Sequence, residues 1–197
     1  EEMQRSYGTL LPVPEARVCV VEDGEKVMLA GRALECIDTP GHARHHHCIW
    51  DARSRSWFTG DTFGLSYREL DGPQGAFILP TTTPVQFEPQ ALKASIARMV
   101  ERAPEAMYPT HYGPVSDVPR LAQSLYEQID AMVAIADACD GRADRHRCIA
   151  AALSALYLER AHAQQVPLAD EDVLRLLAMD VELNAQGLGV WLDRGRP

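Results

Sequence analysis

The chain lacks several features that would assign it to common protein classes. It has no stretch of about 18 uninterrupted apolar residues, so no membrane span is predicted. Its N-terminus has no apolar run behind a basic start, so no signal peptide is expected there. It also contains no Gly-x-Ser-x-Gly motif, so the usual sequence support for a serine nucleophile is missing.

Basic residues are in the minority. The 197 residues include 19 Lys and Arg against 28 Asp and Glu, which gives a net charge of −9. An acidic chain repels phosphate backbones, which counts against nucleic acid as a substrate or partner. The same argument disfavours a nuclease.

The cysteines show no metal-binding or disulfide pattern. There are five, an odd number, and no two are spaced as Cys-x-x-Cys: Cys19, Cys36, Cys48, Cys139 and Cys148. Such usage predicts free thiols in a reducing compartment, and hence a cytoplasmic location.

What the sequence does contain is a mixed first part and a helical second part. Short apolar runs bounded by turn residues predict strands at 17–21, 27–30, 34–38, 47–50, 56–59 and 106–108. A 3.6-residue period predicts a helix over 88–104, and from about residue 117 onward the pattern is helical only. We therefore expect a mixed domain over 1–116 and a helical extension over 117–197, the last helix of which includes Val173, Leu177 and Val181.

Three short motifs stand where predicted strands end. They are Thr-Pro-Gly-His at 39–42, Thr-Gly-Asp at 59–61 and Pro-Thr-His at 109–111. Each ends in a residue that can bind a metal ion: His42, Asp61 and His111. A strand end suits such a residue because the sheet fixes the backbone while the loop exposes the side chain.

Together these motifs resemble the second half of the metallo-β-lactamase fold, whose members are mostly dinuclear metal hydrolases. The resemblance implies an α/β architecture: the second half of an αββα sandwich, followed here by an all-α tail. It covers roughly residues 15–116 and is specific for the fold but not for the substrate.

The resemblance also assigns roles to the motif residues. His42 matches a terminal ligand of one metal, Asp61 the carboxylate that bridges two metals, and His111 the last ligand of the second. The resemblance implies two divalent cations. Zinc is the first choice, and iron or manganese are alternatives that suit the same nitrogen and oxygen donors. In this scheme a metal-activated hydroxide attacks a carbonyl carbon, and Asp61 orients it.

Further residues around the motifs are candidates for supporting roles. His46 matches a histidine that supports the ligand loop rather than binding metal. The loop after Asp61 offers Phe63, Tyr67 and Phe77 as substrate-pocket residues; the alternative is that these aromatic side chains pin a long loop to the body.

The family's His-x-His-x-Asp-His motif, which supplies half of the metal ligands, is absent from this chain. On its own the chain is therefore expected to bind metal poorly and to be inactive. The apolar sheet is expected to be covered by the missing N-terminal half or by a second copy.

Three functions remain open. The first is a hydrolase of a small thioester, lactone or other ester. The second is an oxidoreductase like the persulfide dioxygenases of this fold, which use one iron held by two histidines and an aspartate. The third is non-enzymatic: a dimerisation module on an inactive body.

Overall fold

The computed structural model describes residues 4, 8–82 and 86–195, so most of the N-terminal segment relevant to a signal peptide lies outside the described residues. Within these residues, five strands form one sheet in chain order: β1 (Lys26–Leu29), β2 (Arg32–Asp38), β3 (His47–Asp51), β4 (Ser56–Gly60) and β5 (Ala106–Pro109). The α-helices are α1 (Pro89–Val100), α2 (Val118–Cys139), α3 (Arg145–Ala163), α4 (Asp170–Leu176) and α5 (Ala178–Asp193). Short 3-10 turns span Glu15–Arg17 and Arg68–Leu70.

The strand directions bring three chain segments to one edge of the sheet. Strands β2 and β4 both pair antiparallel with β3, so they run in the same direction. Strand β5 pairs parallel with β4. The carboxyl ends of β2, β4 and β5 therefore meet at the same edge.

The two faces of the sheet differ in burial. Trp57 and Met107 are fully buried, and the Trp57 indole donates a hydrogen bond to the Met99 carbonyl of α1 at 3.0 Å. Their neighbours Phe58 and Tyr108 point to the opposite face and are 46% and 38% exposed. One face is thus covered by helices while the other is open to solvent.

The hydrophobic core is continuous from the sheet to the last helix. One cluster of buried side chains includes Ile37 in β2, Ile96 in α1, Leu125 in α2 and Leu188 in α5. The core does not stop at residue 116, where composition changes, because the helices pack on the loops and helix that cover the sheet.

Two expectations about secondary structure are wrong. The strand predicted at 17–21 is absent: Arg17 ends the 3-10 turn Glu15–Arg17, residues 18–21 form no strand, and Val18 and Val20 are exposed. Since this segment pairs with no strand in the part of the chain that the structure describes, its β-branched residues do not suffice to make one. The predicted last helix is two helices, because the chain leaves helical geometry at Leu177 (φ −90°, ψ 7°).

The prediction that all five cysteines are free thiols is also wrong. Cys139, at the end of α2, forms a disulfide with Cys148, in the first turns of α3. The nine-residue separation matches no motif, and the bridge forms because the loop between the helices folds back. The argument for a reducing compartment is weakened accordingly, and a cytoplasmic location stays a prediction. None of the helices in the described ranges combines the length and apolar character needed to cross a bilayer.

Candidate metal centre

His42, Asp61 and His111 lie at the edge where β2, β4 and β5 end. His42 is in the loop after β2, Asp61 directly follows β4, and His111 follows β5 by two residues. The Thr110 amide donates to the Gly60 carbonyl at 3.1 Å, which extends the β4–β5 pairing up to the two motifs. The topology thus gathers three residues that are far apart in sequence.

The Pro-Gly step before His42 has a packing reason. Gly41 adopts φ +129°, and a Cβ there would lie 2.1 Å from the Leu92 backbone nitrogen of α1. The Pro40 carbonyl accepts a hydrogen bond from the Ser95 hydroxyl at 2.7 Å. The loop that carries His42 is therefore pressed against α1, at a distance that only glycine permits.

The distances among the three side chains match those between ligands of a metal ion. His42 Nε2 lies 3.7 Å from Asp61 Oδ2, and His111 Nε2 lies 3.5 Å from Asp61 Oδ1. Two ligands bound tetrahedrally at about 2.1 Å from one ion are separated by about 3.4 Å. Each carboxylate oxygen faces a different histidine at this spacing.

The chemistry of these atoms also fits a cation. The Thr81 carbonyl lies 2.9 Å from His42 Nδ1, and since a carbonyl only accepts, Nδ1 carries the proton. In a neutral ring Nε2 then has a lone pair directed toward the Asp61 carboxylate, and a cation between these two donors would be bound by both. Asp61 Oδ1 is buried and has no hydrogen-bond partner within the described residues.

The three residues do not complete a site by themselves. In the described part of the chain, no group of three or more His, Cys, Asp or Glu side chains closes into an arrangement that could hold a metal ion. This agrees with the distances, because His42 and His111 approach opposite oxygens of Asp61. The arrangement resembles two half-sites that share one carboxylate.

His46 has both ring nitrogens engaged by the protein. The Asp61 amide donates to His46 Nε2 at 3.0 Å, so the neutral ring carries its proton on Nδ1, which lies 2.9 Å from the Thr62 hydroxyl. Burial, and secondarily the nearby His42 ring, lowers the pKa of His46 to about 4, so the ring is neutral at pH 7. The geometry fits a residue that holds the Asp61 backbone.

Hydrogen bonds continue inward from Thr62. The Thr62 hydroxyl donates to the Thr39 hydroxyl at 3.3 Å, and Thr39 Oγ1 lies 3.2 Å from Cys48 Sγ. The Cys48 thiol in turn donates to the Thr59 carbonyl at 3.3 Å. Sequence reasoning missed these roles, although two of the threonines stand inside the motifs themselves.

The three aromatic candidates lie in the core or at its border. Phe63 and Phe77 are fully buried, which favours the alternative that they pin the loop to the body. Tyr67 is 9% exposed; its hydroxyl donates to Asp180 of α5 at 2.8 Å, and its ring stacks on Tyr112 at 4.2 Å between centroids. Burial raises the pKa of both Tyr67 and Asp180.

Comparison with known proteins identifies the fold. No family model matches the chain. It is 31% identical over 124 residues to the metallo-β-lactamase fold-containing protein ST1585 of Sulfurisphaera tokodaii, an alignment that covers 62% of this chain and 43% of that protein. The chain thus spans less than half the length of this curated relative.

Solved structures give the same result. The crystal structure of ST1585 matches with a TM-score of 0.56 and 23% identity, covering 95% of this chain and 58% of that one. The metallo-β-lactamase family protein TTHA1429 from Thermus thermophilus matches with a TM-score of 0.50 and 23% identity, covering 80% and 49%. TTHA1623, solved in a di-iron-bound form, matches with a TM-score of only 0.42 at 24% identity, covering 63% and 55%, and is too distant to transfer its metal. The chain therefore has the metallo-β-lactamase fold, as its three motifs predict, and its partial coverage of these relatives fits the C-terminal portion of that fold.

Proposed function

We propose that the protein is the C-terminal portion of a metal-dependent hydrolase acting on a small thioester, lactone or other ester. His42 and His111 would each bind a divalent cation through Nε2, and Asp61 would bind both through its two oxygens. Zinc is the ion proposed first, and iron or manganese are alternatives that suit the same donors. The bound ions would supply an activated water and polarise the substrate carbonyl.

The protein's own part in this chemistry is to fix the donor atoms. The Thr81 carbonyl holds the His42 ring with Nε2 directed at Asp61, and His46 holds the Asp61 backbone. His111 is the most accessible of the three, with its side chain 52% exposed, so substrate would approach from its side. Asp61, between the histidines, would orient a nucleophilic water.

The observation that carries the proposal is the pairing of each Asp61 oxygen with a different histidine, at 3.7 and 3.5 Å. It also bears on the oxidoreductase alternative. A mononuclear iron held by two histidines and an aspartate needs all three side chains around one ion. Here His42 and His111 face different oxygens of Asp61, and this arrangement favours two ions. The non-enzymatic alternative gives no reason for this convergence.

Each ion would have only two ligands from this chain, one histidine and Asp61. Catalytic zinc usually has three protein ligands. We propose that the remaining ligands come from the N-terminal half of the fold. On this proposal the 197-residue chain alone binds metal weakly and hydrolyses little or no substrate.

Equilibrium dialysis of the chelator-treated chain against Zn²⁺, with bound metal measured by mass spectrometry, tests the ligand set. Asp61→Ala should abolish specific binding, while His42→Ala and His111→Ala should each weaken it. His47→Ala is the matched control, because it removes an exposed imidazole near the site without touching Asp61. Equal loss in the control and in Asp61→Ala would show that only adventitious histidine binding is measured and would contradict the proposal.

Assays of the same chain with thioester and lactone substrates test the incomplete site. Turnover by the chain alone at about 1–1000 per second, the range of ordinary enzymes, would refute the two-ligand-per-ion argument.

A further inference from the structure

The last helix reaches the loop that holds His42. Asn184 of α5 is 1% exposed, and its Oδ1 accepts a hydrogen bond from the Thr82 amide at 2.8 Å. Its Nδ2 donates to the Pro80 carbonyl at 3.2 Å and to the Tyr157 hydroxyl at 2.8 Å. Because an amide hydrogen must donate and a carbonyl must accept, these partners fix the orientation of the side-chain amide.

The residue between the two clamped backbone groups is Thr81. Its carbonyl is the group that lies 2.9 Å from His42 Nδ1. With the backbone held on both sides, this carbonyl has a fixed direction, and the His42 ring keeps its proton on Nδ1 and its lone pair on Nε2. Metal-binding histidines depend on such a partner for their tautomer and ring orientation.

We infer that Asn184 is a positioning residue for the candidate metal centre, which orients His42 by clamping the backbone on either side of Thr81. This inference rests on the proposed function in so far as His42 is a metal ligand. It gives the helical extension a role at the site: the helix supplies no ligand, but it determines which nitrogen of a ligand faces the metal.

A purely structural role is the competing explanation, since any buried asparagine satisfied by backbone groups stabilises a fold. The chain offers a matched control. Gln128 of α2 is also fully buried and donates to the Ile78 carbonyl at 2.8 Å, in the same loop but away from Thr81. Gln128→Ala should weaken the fold as Asn184→Ala does, yet leave His42 in place.

Two measurements on the full 197-residue chain separate these explanations. Long-range ¹H–¹⁵N spectra at pH 8.5 report which nitrogen of each histidine carries the proton, and the His42 signal is assigned by its loss in His42→Asn. We expect the Nδ1–H form for His42 in the wild-type chain and in Gln128→Ala, and a mixture of both tautomers in Asn184→Ala. Zinc dialysis should show about a 10-fold loss of affinity in Asn184→Ala only.

An unchanged His42 tautomer in folded Asn184→Ala would overturn the inference, as would equal tautomer mixing in both variants. If Asn184→Ala does not fold, Tyr157→Phe removes only the hydroxyl that anchors the Asn184 amide. It should show a smaller shift in the same direction, and no shift there would overturn the inference. If zinc binding by the wild-type chain does not depend on His42 or Asp61 but the tautomer still responds to Asn184→Ala, the positioning role stands and the proposed metal ligand set fails.

Discussion

Gly60 and His46 occupy adjoining space at the end of β4, and each restricts what the other position can hold. Gly60 adopts φ +51°, and a Cβ there would lie 2.3 Å from Cε1 and 2.4 Å from Nε2 of His46. The His46 ring, which accepts the hydrogen bond from the Asp61 amide, therefore lies directly over Gly60. The Thr-Gly-Asp motif thus has a steric reason as well as a chemical one.

Gly60→Ala should lower the free energy of unfolding by about 2–4 kcal/mol, since it combines a left-handed backbone with a clash against a partly buried ring. Urea unfolding measures it. Gly31→Ala is the control, because Gly31 also has a positive φ (+77°) but no atom within 4 Å of its Cβ position, and it should lose only about 1 kcal/mol. Equal losses of unfolding free energy in Gly60→Ala and Gly31→Ala would contradict this prediction, because they would show that the His46 ring moves aside at little cost.

His46 also makes stability depend on pH. Its pKa in the folded chain is lowered from 6.5 to about 4, so the folded state binds the proton less readily than the unfolded state. The contribution is full above pH 6.5 and is lost as the pH falls toward 4. Between pH 7 and 4.5 we expect a loss of about 2 kcal/mol, reduced somewhat by the partial exposure of the ring.

Urea unfolding of the metal-free chain at the two pH values gives this loss. His46→Gln keeps an acceptor for the Asp61 amide but cannot titrate, so its stability should fall by about 2 kcal/mol less than that of the wild type. His45→Gln, at an exposed position nearby, should behave as the wild type. If the wild-type chain and His46→Gln lost the same stability between the two pH values, the loss could not be assigned to His46.

At the scale of elements, the disulfide between Cys139 and Cys148 joins the end of α2 to the start of α3. A bridge closing a loop of about ten residues contributes about 2–3 kcal/mol by restricting the unfolded chain. Cys148→Ser should lower the free energy of unfolding by that amount, while Cys19→Ser, at an exposed free thiol, should change it little.

Thiol titration of the unfolded, unreduced chain checks the bridge directly. Three free thiols are expected, from Cys19, Cys36 and Cys48, and all five after reduction. Five thiols before reduction would contradict the bridge.

The elements that could be predicted from the sequence are those whose local pattern and tertiary partners agree. Strand β4 has both an apolar alternation and a neighbour on each side, and its end at Gly60 is visible in the sequence. Residues 17–21 have the strand pattern but no partner strand within 8–82 and 86–195, and a strand needs a partner for its backbone hydrogen bonds. The break at Leu177 was hidden because apolar spacing continues through it.

The residues of the candidate site likewise fall into those that the sequence reveals and those that it does not. His42, Asp61 and His111 stand in motifs that a sequence displays, whereas Asn184 lies in a helix about 100 residues from the loop that it holds. Its one signal is a polar residue on the apolar face of α5, among Val181, Ala185 and Leu188. That signal indicates a buried hydrogen bond but cannot name the partner, because the partner depends on how α5 packs.

At the scale of the whole molecule, the solvent-exposed face of the sheet determines how the chain is expected to associate. Phe58 and Tyr108 stack there with ring centroids 5.2 Å apart, and Leu29 of β1, which the strand register places on the same face, is 62% exposed. Covering apolar surface contributes about 2.5 kcal/mol per 100 Å². Exposed apolar side chains gathered on one face of a small soluble chain are typical of a surface that binds another protein surface.

When the 197-residue chain is alone in solution, the surface available to cover this face is a second copy. We therefore expect self-association at micromolar concentration, measured by light scattering on a size-exclusion column. Phe58→Lys should yield monomers, because a charged side chain in the middle of the patch must be desolvated on association. Met179→Lys places the same charge at a 71% exposed position on the helical side and should leave the association unchanged. A wild-type chain that remains monomeric and unfolds cooperatively would contradict the expectation that this face needs a cover.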